Sequence, residues 1–421
     1  MVIPSQAISL SDMFTSKTFT LSVFILTLLF LVTPLQADAQ VAIQGETVYT
    51  MAGDPIEDGV VLIREGKIER IGPADEVEIP AGYDVHEAAV VTPGLIDARS
   101  VVGLAGILNI EDDQDQLDTA SPLQPDLRAV DAYDAREELV GWLRNLGITT
   151  VHTGHAPSAL ISGQTMIAKT SGQTVSEAVV DSLAMVSFTL GPQAGAQFSS
   201  PGTRSKGAAM LREYLLRAED YRDGMEADDP ADRPSRNLEM EIMSKVLNGE
   251  VPALIAAHEV PEIMTALRLQ EEFGFDMVLD GGVESYLLLD ELREADIPVI
   301  THAPMIRTAG PAGNAAFDTP AKLQEAGLDF AFQSGFEGYV PKTRVVLFEA
   351  GVAVQNGLDF DDALRALTIN AAALLGIADR VGSLEEGKDA DVVLFDGDPF
   401  EYVTRVCGVF IDGEHVSDSC K

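Results

Sequence analysis

The chain has 421 residues, of which 46% are hydrophobic and 23% charged, a composition typical of a folded protein rather than a disordered one. It carries 67 Asp and Glu residues against 28 Lys and Arg, for a net charge of −39. Such a surface repels phosphate backbones, which disfavours nucleic acid as a partner. The length allows one large domain or two smaller ones.

The N-terminal segment is typical of an export signal. Lys17 precedes a 14-residue apolar run, FTLSVFILTLLFLV, and Ala37-Asp38-Ala39 follows as an A-x-A cleavage pattern. We predict a signal peptide over residues 1–39 and a mature protein that is periplasmic or secreted. The run is shorter than the roughly 20 residues of a membrane span, so no stable span is expected after cleavage. An uncleaved anchor is the alternative.

After this segment, short strands separated by turns are predicted over residues 40–92 and again near the C-terminus. Between these two ends, strands alternate with helices, which predicts an α/β fold with parallel strands. The predicted strands are residues 147–152, 253–258, 276–279, 298–301 and 328–333. The predicted helices are residues 135–146, 206–221, 261–273 and 361–376.

The chain has two cysteines, Cys407 and Cys420. Between them, Asp412-Gly413 lies within alternating apolar residues, a strong hairpin pattern. The hairpin would bring both cysteines to the same end, so an exported protein is expected to form a disulfide there. Two free thiols are the alternative.

Four sequence blocks resemble the amidohydrolase superfamily, most of all its imidazolonepropionase-like branch. The blocks are TPGLIDARSVVGL at 92–104, GITTVH at 147–152 continuing through Lys169, residues 266–284, and LTINAA at 367–372 followed by GSLEEGKDAD at 382–391. The resemblance implies a (β/α)8 TIM barrel over residues 93–376. It also implies a small β-sandwich assembled from both chain ends, residues 40–92 and 377–421.

The same resemblance implies a metal site whose usual ligands are replaced here. The family binds divalent metal, often zinc, through histidines on strands one, five and six and an aspartate on strand eight. None of the five matching positions has a metal-binding side chain, and they are Arg99, Val101, Ala256, Gly281 and Gly335. A guanidinium about 4 Å from a divalent ion costs on the order of 8 kcal/mol at a dielectric near 20. Because zinc binding contributes about 10–16 kcal/mol, we expect no metal cofactor.

Several polar residues near predicted strand ends are candidates for lining the cleft. The four histidines among them could form a displaced metal site or simply a polar lining, and the lysine is either related to a metal-bridging lysine of the family or a plain cleft or surface residue. Arg99 could hold a small anion such as a carboxylate or phosphate, or form an internal ion pair. The candidates are Arg99, His152, His155, Lys169, His258 and His302.

Two functions follow from these observations. The first is a non-catalytic binding or partner subunit, forming a homo-oligomer or a hetero-oligomer with an intact amidohydrolase. The alternative is a hydrolase of non-peptide carbon–nitrogen bonds with a rearranged site, which would use zinc or another divalent metal.

Overall fold

The structure is a computed structural model that describes residues 40–108, 110–336, 344–418 and 420. The signal peptide predicted over residues 1–39 lies outside the described residues. Within the part of the chain that is described, no helix has the length and apolar character needed to cross a membrane.

Strands and helices alternate along the central part of the chain, as predicted. The strands are β1 Gln40–Val48, β2 Ile56–Arg64, β3 Lys67–Pro73, β4 Asp84–Pro93, β5 Leu95–Ser100, β6 Ile148–Thr153, β7 Ile161–Gln164, β8 Met166–Lys169, β9 Val179–Asp181, β10 Val186–Thr189, β11 Ala253–Ala257, β12 Met277–Gly281, β13 Val299–Thr301, β14 Phe330–Phe332, β15 Val392–Phe395, β16 Val406–Ile411 and β17 Glu414–Ser417. The helices are α1 Glu138–Arg144, α2 Val175–Ala178, α3 Arg204–Met225, α4 Leu238–Leu247, α5 Val260–Phe273, α6 Leu289–Glu294, α7 Thr319–Glu325, α8 Val346–Gln355, α9 Phe360–Ala366 and α10 Ile369–Leu374.

Both ends of the described chain share one sheet of seven strands, in the order β17-β16-β15-β4-β1-β2-β3. The two ends meet where β15 pairs antiparallel with β4, with Val392 opposite Pro93. Apolar side chains cover both faces of this sheet, including Ile43 and Val61 on one face and Ala42 and Leu62 on the other. A composite terminal unit was predicted, and a sandwich of two sheets stays a prediction.

The C-terminal hairpin and its disulfide are confirmed. Strands β16 and β17 pair antiparallel through a turn at Asp412 and Gly413, both with positive φ. Cys407 and Cys420 are bonded, with their Cα atoms 3.9 Å apart.

The remaining strands form two sheets that follow each other in a cyclic order. One runs β5-β6-β8-β9 and the other β7-β10-β11-β12-β13-β14, and only Thr165 separates β7 from β8. At the far edge β14 returns to β5, where the amide of Ser334 donates to Asp97 Oδ1 at 2.9 Å. Side chains from β5, β8, β11, β12, β13 and β14 share one buried cluster that includes Ile96, Ile167, Leu254, Val278, Ile300 and Ala331.

Strands β7 and β8, which come third in this order, differ from the eight parallel strands that the resemblance implies. Strand β7 pairs antiparallel with β10, and β8 pairs antiparallel with β6. The connection from β6 to β8 contains β7 and no helix, whereas parallel neighbours are usually joined by a crossover helix. The chain therefore returns antiparallel to β6 at this point.

The helix predicted over residues 361–376 is two helices, α9 and α10. Thr368 separates them with φ −133° and ψ −98°, outside the helical region. The carbonyl of Leu367, freed from a helix ladder at this break, accepts from the amide of Ile96 at 2.8 Å. The break therefore attaches the last helices to β5.

Candidate functional site

A cavity of about 60 Å³ lies at the carboxyl ends of β5, β11, β12, β13 and β14. At about 10–15 Å³ per water, it holds a handful of waters or one small molecule. The five positions at which the sequence lacks the expected ligand side chains all line it: Arg99, Val101, Ala256, Gly281 and Gly335. The structure thus brings residues from three strands and two following loops to one place.

Two predicted histidines and several residues that the sequence did not single out complete the lining. His258 and His302 follow β11 and β13. The residues missed are the polar Asp280, Gln333 and Arg344 and the apolar Ile306 and Phe336. The sequence could have assigned Asp280 to the site, because this residue directly precedes Gly281 in a block that resembles the family.

Arg99 is buried and bonded within the protein. Its Nη1 donates to the carbonyl of Ser100 at 2.6 Å, and its Nη2 donates to the carbonyl of His155. Its Nε lies 3.6 Å from Asp280 Oδ2. Burial lowers the pKa of Arg99, and the negative charge of Asp280 opposes that shift. The internal ion pair, one of the two roles considered for Arg99, is therefore present.

Two buried carboxylates surround this arginine. Asp280 accepts from Gln333 Nε2 at 2.8 Å, which ties β12 to the end of β14. Asp97 Oδ1 accepts from the amides of Ser334 and Arg99, while its Oδ2 has no hydrogen-bond partner among the described residues. Burial raises the pKa of Asp97 to about 7.

His258 occupies the space in which a side chain at position 281 would lie. A Cβ built on Gly281 would be 2.3 Å from His258 Cε1 and 2.7 Å from Nδ1, and Gly281 has φ +85°. His258 Nδ1 is buried without a hydrogen-bond partner among the described residues. Burial lowers the pKa of His258, although Asp280, Glu262 and Glu259 oppose the shift.

His302 lies on the same wall, but its ring is fully bonded. Its Nδ1 lies 3.0 Å from the carbonyl of Ala303, and its Nε2 lies 3.3 Å from Thr319 Oγ1. Burial lowers the pKa of His302 to about 4, so the ring is neutral at neutral pH.

Three of the predicted cleft residues, His152, His155 and Lys169, do not line the cavity. The ring of His152 is bonded on both sides, to the carbonyl of Ala98 at 2.7 Å and to Thr165 Oγ1 at 2.6 Å. His155 is buried, and its carbonyl supports Arg99. The expectation for both as lining residues is therefore wrong at this cavity.

Lys169 lies at the opposite end of the strands, which corrects its placement in the cleft. Because β8 runs antiparallel to β6, Lys169 is level with Thr150 near the start of β6. Its Nζ is 2.7 Å from both oxygens of Asp391 and 3.2 Å from Asp412 Oδ1. It therefore binds the terminal sheet to the central strands.

The charged groups on the cavity wall are two guanidinium groups, Arg99 and Arg344, and the carboxylate of Asp280. Arg344 Nη1 also lies 3.5 Å from Glu349 Oε1, behind the wall. Each guanidinium on the wall thus has a buried carboxylate partner, Asp280 for Arg99 and Glu349 for Arg344.

Parallel strands with a ligand-sized cavity at their carboxyl ends define an α/β protein of the kind that carries its chemistry at that face. Comparisons with known proteins show which family the chain is similar to. The Amidohydrolase family matches residues 338–416. A solved structure of an amidohydrolase from Thermotoga maritima MSB8 is 28% identical, with a TM-score of 0.84, and the match covers 90% of this chain and 100% of that one.

Among curated relatives, the imidazolonepropionase of Thermoplasma volcanium is 41% identical over 83 residues, which cover 18% of this chain and 20% of that protein. The amidohydrolase tasK of Hapsidospora irregularis is 22% identical over 395 residues, covering 84% of this chain and 39% of that protein. The chain thus spans well under two thirds of the length of these relatives. These matches support a placement in the amidohydrolase superfamily, in its imidazolonepropionase-like branch.

The side chains on the cavity wall do not fit the divalent metal that the family usually binds. Val101, Ala256, Gly281 and Gly335 offer no side-chain donor, and Arg99 is a cation held beside Asp280. Among the residues that the structure describes, no group of three or more His, Cys, Asp or Glu side chains is placed to hold a metal ion.

Proposed function

We propose that this protein is a non-catalytic member of the amidohydrolase superfamily that binds a small anion where its relatives bind metal. The observation that carries the proposal is the position of the Arg99 guanidinium, on the same wall as four residues that lack donor side chains. A fixed cation there repels a divalent ion and attracts an anion. We propose in addition that the cyclic strand order closes as the (β/α)8 barrel of the family.

A small carboxylate fits the chemistry of the wall. The terminal nitrogens of Arg99 each carry a second hydrogen beyond those used for Ser100 and His155, and Arg344 adds another guanidinium. The side chains of Val101, Ile306 and Phe336 provide an apolar surface for a short carbon chain.

The test has two arms. Metal analysis of the purified protein should find less than stoichiometric zinc, and a panel of amides and lactams should not be hydrolysed. Calorimetric titration should detect binding of acetate and not of acetamide, which has a similar shape without the charge. Arg344→Gln should weaken acetate binding, whereas Arg217→Gln, which alters an arginine packed over Tyr214, should not. Stoichiometric zinc that a chelator removes together with activity would overturn the proposal.

The alternative function is a hydrolase of non-peptide carbon–nitrogen bonds, and one observation favours it. His258 presents an unpartnered, neutral imidazole at the cavity, as a general base requires. If hydrolysis occurs and His258→Gln abolishes it while protein stability is unchanged, this alternative replaces the binding function.

The partner and the location are proposals from the sequence. A homo-oligomer, or a hetero-oligomer with an intact amidohydrolase, is the proposed assembly, and light scattering of the purified protein tests the first. Export to the periplasm or the medium follows from the predicted signal peptide, and N-terminal sequencing of the mature protein tests it.

A further inference from the structure

His258 differs from every other ionisable side chain on the cavity wall. Arg99 is paired with Asp280 and Arg344 with Glu349. Asp280 accepts from Gln333, and His302 is bonded on both ring nitrogens. No hydrogen bond joins the His258 ring to any described residue, and its Nδ1 is buried. A cavity-wall imidazole whose ring is not bonded to the described residues is a site for a polar group of the ligand.

The ring of His258 is held in place by its backbone and by Gly281. The amide of His258 donates to Glu262 Oε2 at 3.0 Å, and its carbonyl accepts from the amide of Glu284 at 2.8 Å. Gly281 leaves the space that the ring fills, since its Cβ would be 2.3 Å away. A side chain fixed in this way loses little entropy when it binds a ligand.

A neutral imidazole accepts a hydrogen bond at one nitrogen and donates at the other. A hydroxyl matches such a group because it can act as donor or acceptor, whereas an alkyl chain leaves the imidazole unpaired. The arginine side chains on the same wall pair with a carboxylate. The ligand therefore needs a carboxylate and a hydroxyl close together, since the cavity is about 60 Å³.

We infer that the cavity takes a short 2-hydroxycarboxylate, with its carboxylate on the arginine side and its hydroxyl bonded to His258. This inference rests on the proposed anion-binding function and names its ligand class. His258 is then the residue that determines specificity for the hydroxyl group.

The experiment compares glycolate with acetate, two acids that differ by one hydroxyl, by calorimetric titration of the full chain. Glycolate should bind about tenfold more tightly or better, as expected when a site built to bond a hydroxyl meets an analogue without it. His258→Leu should reduce the ratio to about one. His258→Asn, which keeps a hydrogen-bonding side chain, should retain part of the preference.

His415→Gln is the control, because His415 lies in the terminal hairpin and not on the cavity wall. It should leave the ratio unchanged. If neither acid binds the wild-type protein, the anion-binding function itself fails. If both bind equally, or if His258→Leu keeps the preference for glycolate, anion binding stands and the role of His258 is overturned.

Discussion

Gly281→Ala tests whether His258 occupies the place of a missing side chain. Position 281 has φ +85°, which costs an L-residue about 1–2 kcal/mol. The new Cβ would also lie 2.3 Å from His258 Cε1, so the ring must move. Displacing a packed side chain in this way costs about 1–3 kcal/mol more. We expect a total loss of about 2–5 kcal/mol in the free energy of unfolding.

Gly335→Ala is the matched control. Gly335 has φ +70°, but the nearest atom to its Cβ is Gln333 Oε1 at 3.6 Å, which is ordinary contact. This variant should therefore show the backbone cost alone, about 1–2 kcal/mol. Guanidinium chloride denaturation followed by circular dichroism measures both variants.

A double-mutant cycle isolates the contact between the two residues. In a His258→Ala background the ring is absent, so Gly281→Ala should cost about as little as Gly335→Ala. The expected coupling energy between positions 258 and 281 is about 1–3 kcal/mol. A coupling below about 0.5 kcal/mol, or equal losses for the two glycine variants, would refute the steric argument.

Three further outcomes follow from buried charges and the disulfide. Arg99→Met should lower the free energy of unfolding by about 3–5 kcal/mol, because it leaves Asp280 buried without its cation. The double variant Arg99→Met/Asp280→Leu should recover most of that loss in denaturant titrations. No recovery would contradict the pairing of the two residues. Three buried histidines have pKa values depressed to about 4 or below, so stability present above pH 6.5 should be lost towards pH 4, by about 1.4 kcal/mol per pKa unit for each. Buried acids whose pKa values are raised, Asp97 to about 7 and also Asp391, act in the opposite sense. A flat stability profile from pH 7 to 4.5 would contradict a net loss from the histidines. The three are His152 at about 3 and His155 and His302 at about 4. Reduction of the Cys407–Cys420 bond should destabilise the C-terminal hairpin by about 3 kcal/mol, from the loop entropy that the bond removes. Hydrogen exchange measures this as faster exchange of the amides in β17. Unchanged exchange would contradict a stabilising role for the disulfide.

The sequence predicted the place of the cavity because its motifs lie at strand ends, and parallel strands bring those ends together. Arg99 and Gly281 could be assigned to one site in this way although they are far apart in the chain. Gln333 and Arg344 could not, because their roles depend on which groups reach them after folding.

Lys169 shows why a strand position alone does not place a side chain. Lys169 lies at the end of a strand in the sequence. The direction of β8 decides whether that end lies beside the cavity or at the opposite end of the strands. The antiparallel pairing with β6 depends on a connection without a crossover helix, which the apolar pattern of the strand does not report. The three ion pairs of Lys169 with Asp389, Asp391 and Asp412 are long-range contacts of the same kind.

The pairing of β4 with β15 determines when the protein can finish folding during its synthesis. Strand β1 covers one edge of β4 early, but the strand that covers the other edge begins roughly 300 residues later, at Val392 opposite Pro93. At about 5–20 residues per second, translation takes roughly 15–60 s to supply it. During that time β4 presents an open edge that can pair with another chain. Truncation before β15 makes that exposure permanent, so shortened chains should aggregate even when their central strands are complete.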